Sequence, residues 1–175
     1  MLRKSFMFLA ALTLAGCAAH APAATKASGA EPAATPQQRL TNPHVIVNMP
    51  LEWTPVDLTR VPRGAFAIST NDALGATILV MEGRVAGSPR KEAEYLAADL
   101  SRDGFTCSPP IESADRSVAA FTVTKTGMRG KIAIRSFGAA SATRILVMGQ
   151  WPEDAEANEG GCMAVDAVAA DAEYR

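Results

Sequence analysis

The feature that most constrains the fold is an unbroken apolar run in the middle of the chain, ILVM at residues 78–81. The run belongs to a predicted strand over 76–82, and successive side chains of a strand point to opposite faces of its sheet. A strand that is apolar on both faces has to be covered on both. The run therefore predicts a sheet with helices packed on it.

Two segments are suited to supply these helices. In the first, Ser88 is a natural N-cap, Pro89 suits the first helical position and Gly104 is placed to end the helix. Its apolar stripe comprises Ala93, Tyr95, Leu96, Ala97 and Leu100. The second segment follows Pro152, and its apolar residues at helical spacing are Cys162, Val165, Val168, Ala169 and Ala172. The adjacent Gly160 and Gly161 are a potential break in this C-terminal helix.

The remaining apolar segments predict strands. They lie at 44–49, 64–70, 76–82, 117–125, 131–137 and 144–150, and the fourth and fifth form a predicted hairpin around 126–130. The chain is thus expected to hold about six strands, a middle helix and a C-terminal helix. These elements fit into one α+β domain.

The N-terminus has the layout of a bacterial export signal. Residues 5–14 form an apolar segment that is too short to span a bilayer. The four residues at its C-terminal end, LAGC at 14–17, resemble the lipobox of bacterial lipoproteins. The resemblance implies that residues 1–16 are removed and that Cys17 carries the lipid anchor. Ala18 is not the aspartate of inner-membrane retention, so the resemblance favours the outer membrane, facing the periplasm.

Composition divides the mature chain in two. Residues 17–40 are rich in Ala, Pro and Thr without apolar periodicity, which predicts a flexible tether, and 41–175 form a single globular domain. Removal of 1–16 takes Arg3 and Lys4 from 17 basic residues against 18 acidic ones and leaves a net charge of −3. That charge makes nucleic acid an unsuitable partner.

The element order supports a family resemblance. The segment Met49-Pro50-Leu51-Glu52-Trp53 after the first strand resembles the Pro-x-x-Trp element of the PsbP-like superfamily, which includes DcrB-like bacterial lipoproteins. A helix ending in Asp103-Gly104-Phe105 and a final helix after Trp151-Pro152 are similar to that family as well. The resemblance implies an antiparallel sheet sandwiched by the middle and C-terminal helices. It also implies a binding or assembly role, with no catalytic motif to carry over.

Short sequence motifs that could indicate catalysis or metal binding are only weakly matched. Ser88-Pro89-Arg90-Lys91 and Lys125-Thr126-Gly127 match the S-x-x-K and K-T-G of penicillin-binding enzymes, but 33 residues between them leave no room for a helical domain. We therefore interpret Ser88 as a helix cap and Lys125 as part of the hairpin. His44 has no partner at a zinc spacing, and Glu153, Asp154, Glu156 and Glu159 lack a calcium-loop pattern. We expect no metal and no cofactor.

Two further groups of residues leave alternatives open. Cys107 and Cys162 are predicted to form a disulfide in an oxidising compartment, the alternative being two separate buried thiols. A hypothetical interaction surface consists of Trp53, Lys125, Arg129, Lys131, Arg135 and Trp151. The alternatives are that the tryptophans are buried in the core and that the basic residues protect a sheet edge from aggregation.

The sequence thus favours a lipid-anchored, non-catalytic interaction or assembly module of the cell envelope, with a membrane contact through Cys17 and an envelope protein as partner. A carrier of a small apolar or lipidic ligand is the second hypothesis, because Ala, Val, Ile and Met are abundant. A Ser88-dependent acyl hydrolase is the third.

Overall fold

The structure, a computed structural model, describes residues 37–58, 64–84, 87–138 and 142–175. In chain order its elements are β1 (Gln37–Thr41), β2 (Val45–Pro50), β3 (Thr54–Pro55), β4 (Ala65–Asn71), β5 (Ala76–Arg84), α1 (Pro89–Arg102), β6 (Thr106–Cys107), β7 (Ile111–Glu112), β8 (Val118–Lys125), β9 (Met128–Ser136), β10 (Thr143–Pro152), α2 (Ala155–Ala170) and β11 (Glu173–Tyr174). Cys17 and the predicted signal peptide lie outside the described residues.

Two antiparallel sheets organise this part of the chain. The larger has eight strands in the order β3-β4-β5-β10-β9-β8-β6, and β7 also pairs with β8. The smaller has the order β1-β2-β11. The α+β class and the antiparallel sheet with two helices are confirmed, but the main sheet has more than the predicted six strands. The additional strands of this sheet, β3, β6 and β7, have only two residues each, too few for an alternating pattern.

The smaller sheet starts inside the segment that composition assigned to the tether. β1 begins at Gln37 and pairs with β2 along its whole length, from Gln37 opposite Pro50 to Thr41 opposite Ile46. Its side chains alternate between exposed and partly buried, which is the pattern of an edge strand. The polar composition of this strand is therefore compatible with a place in the sheet.

One face of the main sheet is covered by α2 and the smaller sheet. Their shared core includes Val45 and Val47 of β2, Ile78 and Val80 of β5, and Val165 of α2, all fully buried. Trp53 and Trp151 belong to the same core. Helix α1 packs on the opposite face against β6–β9, over a second core that includes Phe121, Ile132 and Ile134.

The sheet separates the two cysteines that we predicted to be bridged. Cys107 packs with the core under α1, whereas Cys162 packs with the core under α2, and both thiols are free. The predicted disulfide is not formed, because the two residues lie on opposite sides of the sheet. Burial raises the pKa of both thiols.

Helix α2 runs without interruption through the glycine pair that we considered a potential break. A Cβ atom on Gly161 would lie 2.5 Å from Cδ2 of Trp151, and one on Gly160 would lie 2.9 Å from Cδ1 of Leu74. Gly149 of β10 is equally close to Cγ2 of Val165, at 2.5 Å. The glycines thus let α2 approach the sheet around the Trp151 ring.

The helices of this part of the chain are not membrane spans. Over the ranges that the structure describes, no helix combines the length and the apolar character needed to cross a bilayer.

Candidate functional site

The two tryptophans of the hypothetical interaction surface are core residues. Trp53 is 1% exposed and Trp151 is 2% exposed. Nε1 of Trp151 donates a hydrogen bond to Oδ1 of Asn158 in α2, at 3.2 Å. The alternative interpretation, burial in the core, is therefore correct for both, and neither is available to a partner.

The basic residues of β9 face α2. Nζ of Lys131 lies 2.5 Å from Oδ2 of Asp166, and Nη2 of Arg129 lies 3.4 Å from Oε1 of Glu153. Nη1 of Arg135 donates to the carbonyl oxygens of Ala169, at 2.8 Å, and Ala170. Lys131 and Arg135 therefore hold α2 on the sheet, and Arg129 holds the residue just before the N-cap of α2.

Their position also excludes protection of an edge. β9 lies between β10 and β8, in the interior of the sheet, and Arg135 meets the carbonyl end of α2, where a positive charge is favourable. Lys125, at the end of β8, lies 4.5 Å from the ring centroid of Phe105 and donates to the carbonyl of Asp103. The four basic residues do not form one free surface.

The serine and lysine motifs lie at opposite ends of α1. The Ser88 hydroxyl caps α1 and accepts a hydrogen bond from the Lys91 backbone N–H, at 3.3 Å. Lys125 contacts Asp103, the C-cap of the same helix. A helix of 14 residues separates them by roughly 20 Å, so the geometry of a penicillin-binding site is not present.

Two other residues considered for chemistry, His44 and Asp154, have structural partners. Nδ1 of His44 lies 3.0 Å from Oε1 of Glu82, and Nδ2 of Asn42 donates to Oε2 of Glu82 at 2.7 Å. Asp154 is the N-cap of α2, accepting from the Ala157 N–H at 2.9 Å. Among the residues with described positions, no three His, Cys, Asp or Glu side chains are grouped to hold a metal ion.

The strongest candidate site is the part of the main sheet beside α1 where apolar side chains remain partly exposed. On the α1 side, Leu146 of β10 lies opposite Met81 of β5, and Met148 lies opposite Leu79. On the neighbouring strand β9, Leu146 lies opposite Ile134 and Met148 lies opposite Ile132, and α1 covers these two isoleucines. Met148 is buried, but Leu79, Met81 and Leu146 remain partly exposed. We call these three residues the open face.

One side of α1 borders the open face. Glu92, Tyr95, Leu96 and Asp99 follow the spacing i, i+3, i+4 and i+7 and therefore share one side of the helix. Nη2 of Arg144 in β10 donates to the carbonyl of Gly87, just before α1, at 2.8 Å, and the charge of Arg144 acts on Glu92, so the N-terminal end of this side lies beside β10. Leu96 is buried at the sheet, whereas Tyr95 is 72% exposed. We call these four residues the α1 border.

A carboxylate and a guanidinium lie where the border meets β10. Arg144 is 7% exposed, and its guanidinium donates to the carbonyl oxygens of Gly87, at 2.8 Å, and Thr143, at 3.0 Å. Oε2 of Glu92 is buried without a hydrogen-bond partner in the described part of the chain. Burial raises the pKa of Glu92, and the charge of Arg144 opposes this rise only in part.

The sequence contained a signal for this site that we interpreted differently. The apolar run of β5 predicted cover on both faces, and Ile78 and Val80 are indeed covered by α2 and the smaller sheet. Leu79 and Met81 point to the other face, and the helix that packs on this face in the described ranges, α1, lies on β6–β9. The apolar run of β5 therefore indicated a sheet face that the described helices cover only in part.

Comparison with known proteins gives a fold rather than a family. No protein-family model matches the chain, and no curated protein matches it. Among solved structures, the Ran-binding protein Mog1p of Saccharomyces cerevisiae superposes with a TM-score of 0.58 at 12% identity, covering 80% of this chain and 96% of Mog1p. A Mog1 point mutant gives 0.57 at 14%, with 79% and 95% covered.

The cyanobacterial PsbP protein, CyanoP of Synechocystis sp. PCC 6803, is similar to the same extent. Its TM-score is 0.54 at 10% identity, covering 85% of this chain and 98% of CyanoP. The chain thus has the Mog1/PsbP-like fold, which confirms the predicted PsbP-like domain at the level of the fold.

Proposed function

We propose that this protein is a lipid-anchored interaction module of the bacterial envelope, without catalytic activity of its own. The observation that carries the proposal is the open face, three aliphatic side chains that the chain's own helices leave partly exposed on a well-packed sheet. Adjoining apolar side chains that are partly exposed gain free energy when a partner covers them, because apolar surface is removed from water. The fold is also that of Mog1p, which is a Ran-binding protein, so the same architecture serves protein binding elsewhere.

The anchor part of the proposal rests on LAGC at 14–17, on the apolar segment before it and on the tether after it. A diacylglyceryl group together with an N-terminal acyl chain would hold the protein firmly, since each buried methylene contributes about 0.8 kcal/mol. The residue after Cys17 favours sorting to the outer membrane, with the domain in the periplasm.

Membrane fractionation at high salt tests the anchor. The unmodified chain should sediment with membranes and incorporate an alkyne fatty acid, whereas the Cys17→Ser chain should do neither. The Cys162→Ser chain is the matched control, because Cys162 lies in the core under α2 and should not affect the anchor. A Cys17→Ser chain that still sediments with membranes would disprove lipid anchoring.

A ligand carrier is the second candidate, because the open face is aliphatic and could hold an apolar molecule. Native mass spectrometry after gentle extraction distinguishes the two proposals. A bound small molecule that is lost when Leu146→Asp makes the face polar would favour the carrier. The polypeptide mass alone would favour the interaction module.

A further inference from the structure

The open face joins partly exposed apolar side chains on two adjacent strands of the main sheet. More exposed apolar residues elsewhere in the described chain are Leu51, Val56 and Leu58, in the segment between β2 and β4, and Ile111, Met163 and Tyr174, each on a different element, and single residues of the latter kind are normal. On the open face, Met81 and Leu146 are cross-strand neighbours, and Leu79 precedes Met81 by two positions on the same face of β5. These three aliphatic side chains are neighbours on one face of the sheet and form a surface that a partner can cover.

The α1 border supplies a polar requirement for that partner. Oε2 of Glu92 is buried yet has no donor among the described residues. The guanidinium of Arg144 already donates to the carbonyls of Gly87 and Thr143. Glu92 as a whole is only partly buried, so covering the open face would remove water from the rest of its side chain, and a buried carboxylate without a donor is costly. A matching partner therefore brings a cationic donor next to its apolar side chains.

Tyr95 offers a partner an exposed aromatic ring on the α1 border. It lies one helical turn from Glu92 and Asp99 and is 72% exposed. Tyrosine and arginine are enriched among the residues that dominate binding energy at interfaces. Asp99 is already paired with Arg102, at 2.5 Å, so Glu92 remains the carboxylate that lacks a donor.

A lipid fits this surface less well than a polypeptide. Sites for small apolar ligands bury most of the ligand surface, whereas the open face is bordered by a helix on one side. An acyl chain there would stay partly in water, and Glu92 would repel an anionic headgroup. A second copy docking through the same face would bring Glu92 and Asp99 of both copies together. A polypeptide segment provides aliphatic groups, a donor and its own polar outer side.

We infer that the open face and the α1 border together dock a segment of a partner protein in which aliphatic side chains lie next to a lysine or arginine. This inference rests on the proposed function and specifies its partner chemistry. The aliphatic residues cover Leu79, Met81 and Leu146, the cation binds Glu92, and the ring of Tyr95 packs along the segment.

Site-specific photocrosslinking in cells tests the inference on the full-length chain. The photoreactive amino acid p-benzoylphenylalanine replaces Tyr95 or Leu79, with Ile111 and Met163 as control positions that are 77% and 64% exposed elsewhere. We expect Tyr95 and Leu79 to crosslink to one and the same segment, whose sequence from mass spectrometry contains aliphatic residues next to Lys or Arg.

A charge variant makes the test specific. Glu92→Gln should lower the crosslinking yield from Tyr95 by about tenfold, since a cation in a desolvated interface loses its partner. Glu94→Gln, on the same helix but paired with Arg90 at 3.0 Å, should leave the yield unchanged. Thermal unfolding of both variants checks that the domain is intact.

The remaining outcomes overturn the inference in distinguishable ways. Crosslinks from Tyr95 to a lipid or to a second copy of the chain would assign the open face to another occupant. Protein crosslinks from Ile111 or Met163 alone would preserve the interaction module but place its interface elsewhere. An absence of crosslinks from all four positions would count against the inference and the proposed function together. An equal crosslinking yield in the Glu92→Gln and Glu94→Gln variants would refute the claim that a cation of the partner binds Glu92.

Discussion

The glycine pair in α2 makes a sharp prediction about the packing of Trp151. In Gly161→Ala, the new methyl group would lie 2.5 Å from Cδ2 of the ring, well inside van der Waals contact. The ring cannot easily move, because it is 2% exposed and bonded to Asn158. Overpacking typically costs about 1–3 kcal/mol, and the upper end applies here because three ring atoms lie within 2.7 Å of the new methyl group. The helix gains about 1 kcal/mol when alanine replaces glycine, so we expect a net loss of about 2 kcal/mol.

The adjacent Gly160→Ala is the matched control. It gains the same helix propensity, but its methyl group meets the end of the flexible Leu74 side chain, at 2.9 Å from Cδ1. This variant should be within about 1 kcal/mol of the unmodified protein. Urea unfolding of the purified chains measures the difference, and a Gly161→Ala chain as stable as Gly160→Ala would refute the reasoning. In a Trp151→Leu background the cost of Gly161→Ala should shrink, because the ring that opposes the methyl group is gone.

Three further predictions concern other contacts. Arg135→Ala should lower the free energy of unfolding by about 2 kcal/mol, because the last carbonyls of α2 lose a charged donor; urea unfolding with a change below about 0.5 kcal/mol would contradict it. Asp115 accepts hydrogen bonds from two serines that lower its pKa to about 2. Its stabilisation is therefore present at neutral pH and lost as the pH falls through about 2, so the difference in urea midpoint between the unmodified chain and Asp115→Asn should shrink from pH 6 to pH 2; a constant difference would count against it. The Cys17→Ser chain, unfolded without reductant, should give two reactive thiols from Cys107 and Cys162 in a thiol-titration assay, and a protein with none would indicate a bridge.

Elements with strong periodicity could be predicted from the sequence. The N-cap Ser88 and the apolar stripe of α1 gave that helix, and the alternation of Phe121 and Val123 gave β8. The short strands β3, β6, β7 and β11 could not be predicted, since two residues carry no period. They are strands because neighbouring backbones offer hydrogen bonds, and this depends on tertiary structure.

The candidate site was harder to predict than the fold. The positive charges of β9 suggested an exposed surface, but Lys131 and Arg135 contact α2. The sequence of a strand does not show which residues of another element its side chains will contact, so these contacts could not be predicted. The spacing of Cys107 and Cys162 was equally uninformative, since the number of residues between them does not tell which face of the sheet each one occupies. The apolar run of β5 held the relevant information, and only the placement of α1 revealed its meaning.

The contacts of β1 with the C-terminal segment determine how the domain can be handled and tagged. The Gln37 side chain donates to Oδ2 of Asp171 at 3.2 Å, and Arg39 pairs with Glu173 at 3.7 Å. The start of β1 and the last residues of the chain therefore lie side by side, on the face of the main sheet opposite α1. A short linker could join them in a circular permutant. A fluorophore or affinity tag placed after Arg175 would sit beside the attachment point of residues 1–36 and leave the α1 border clear.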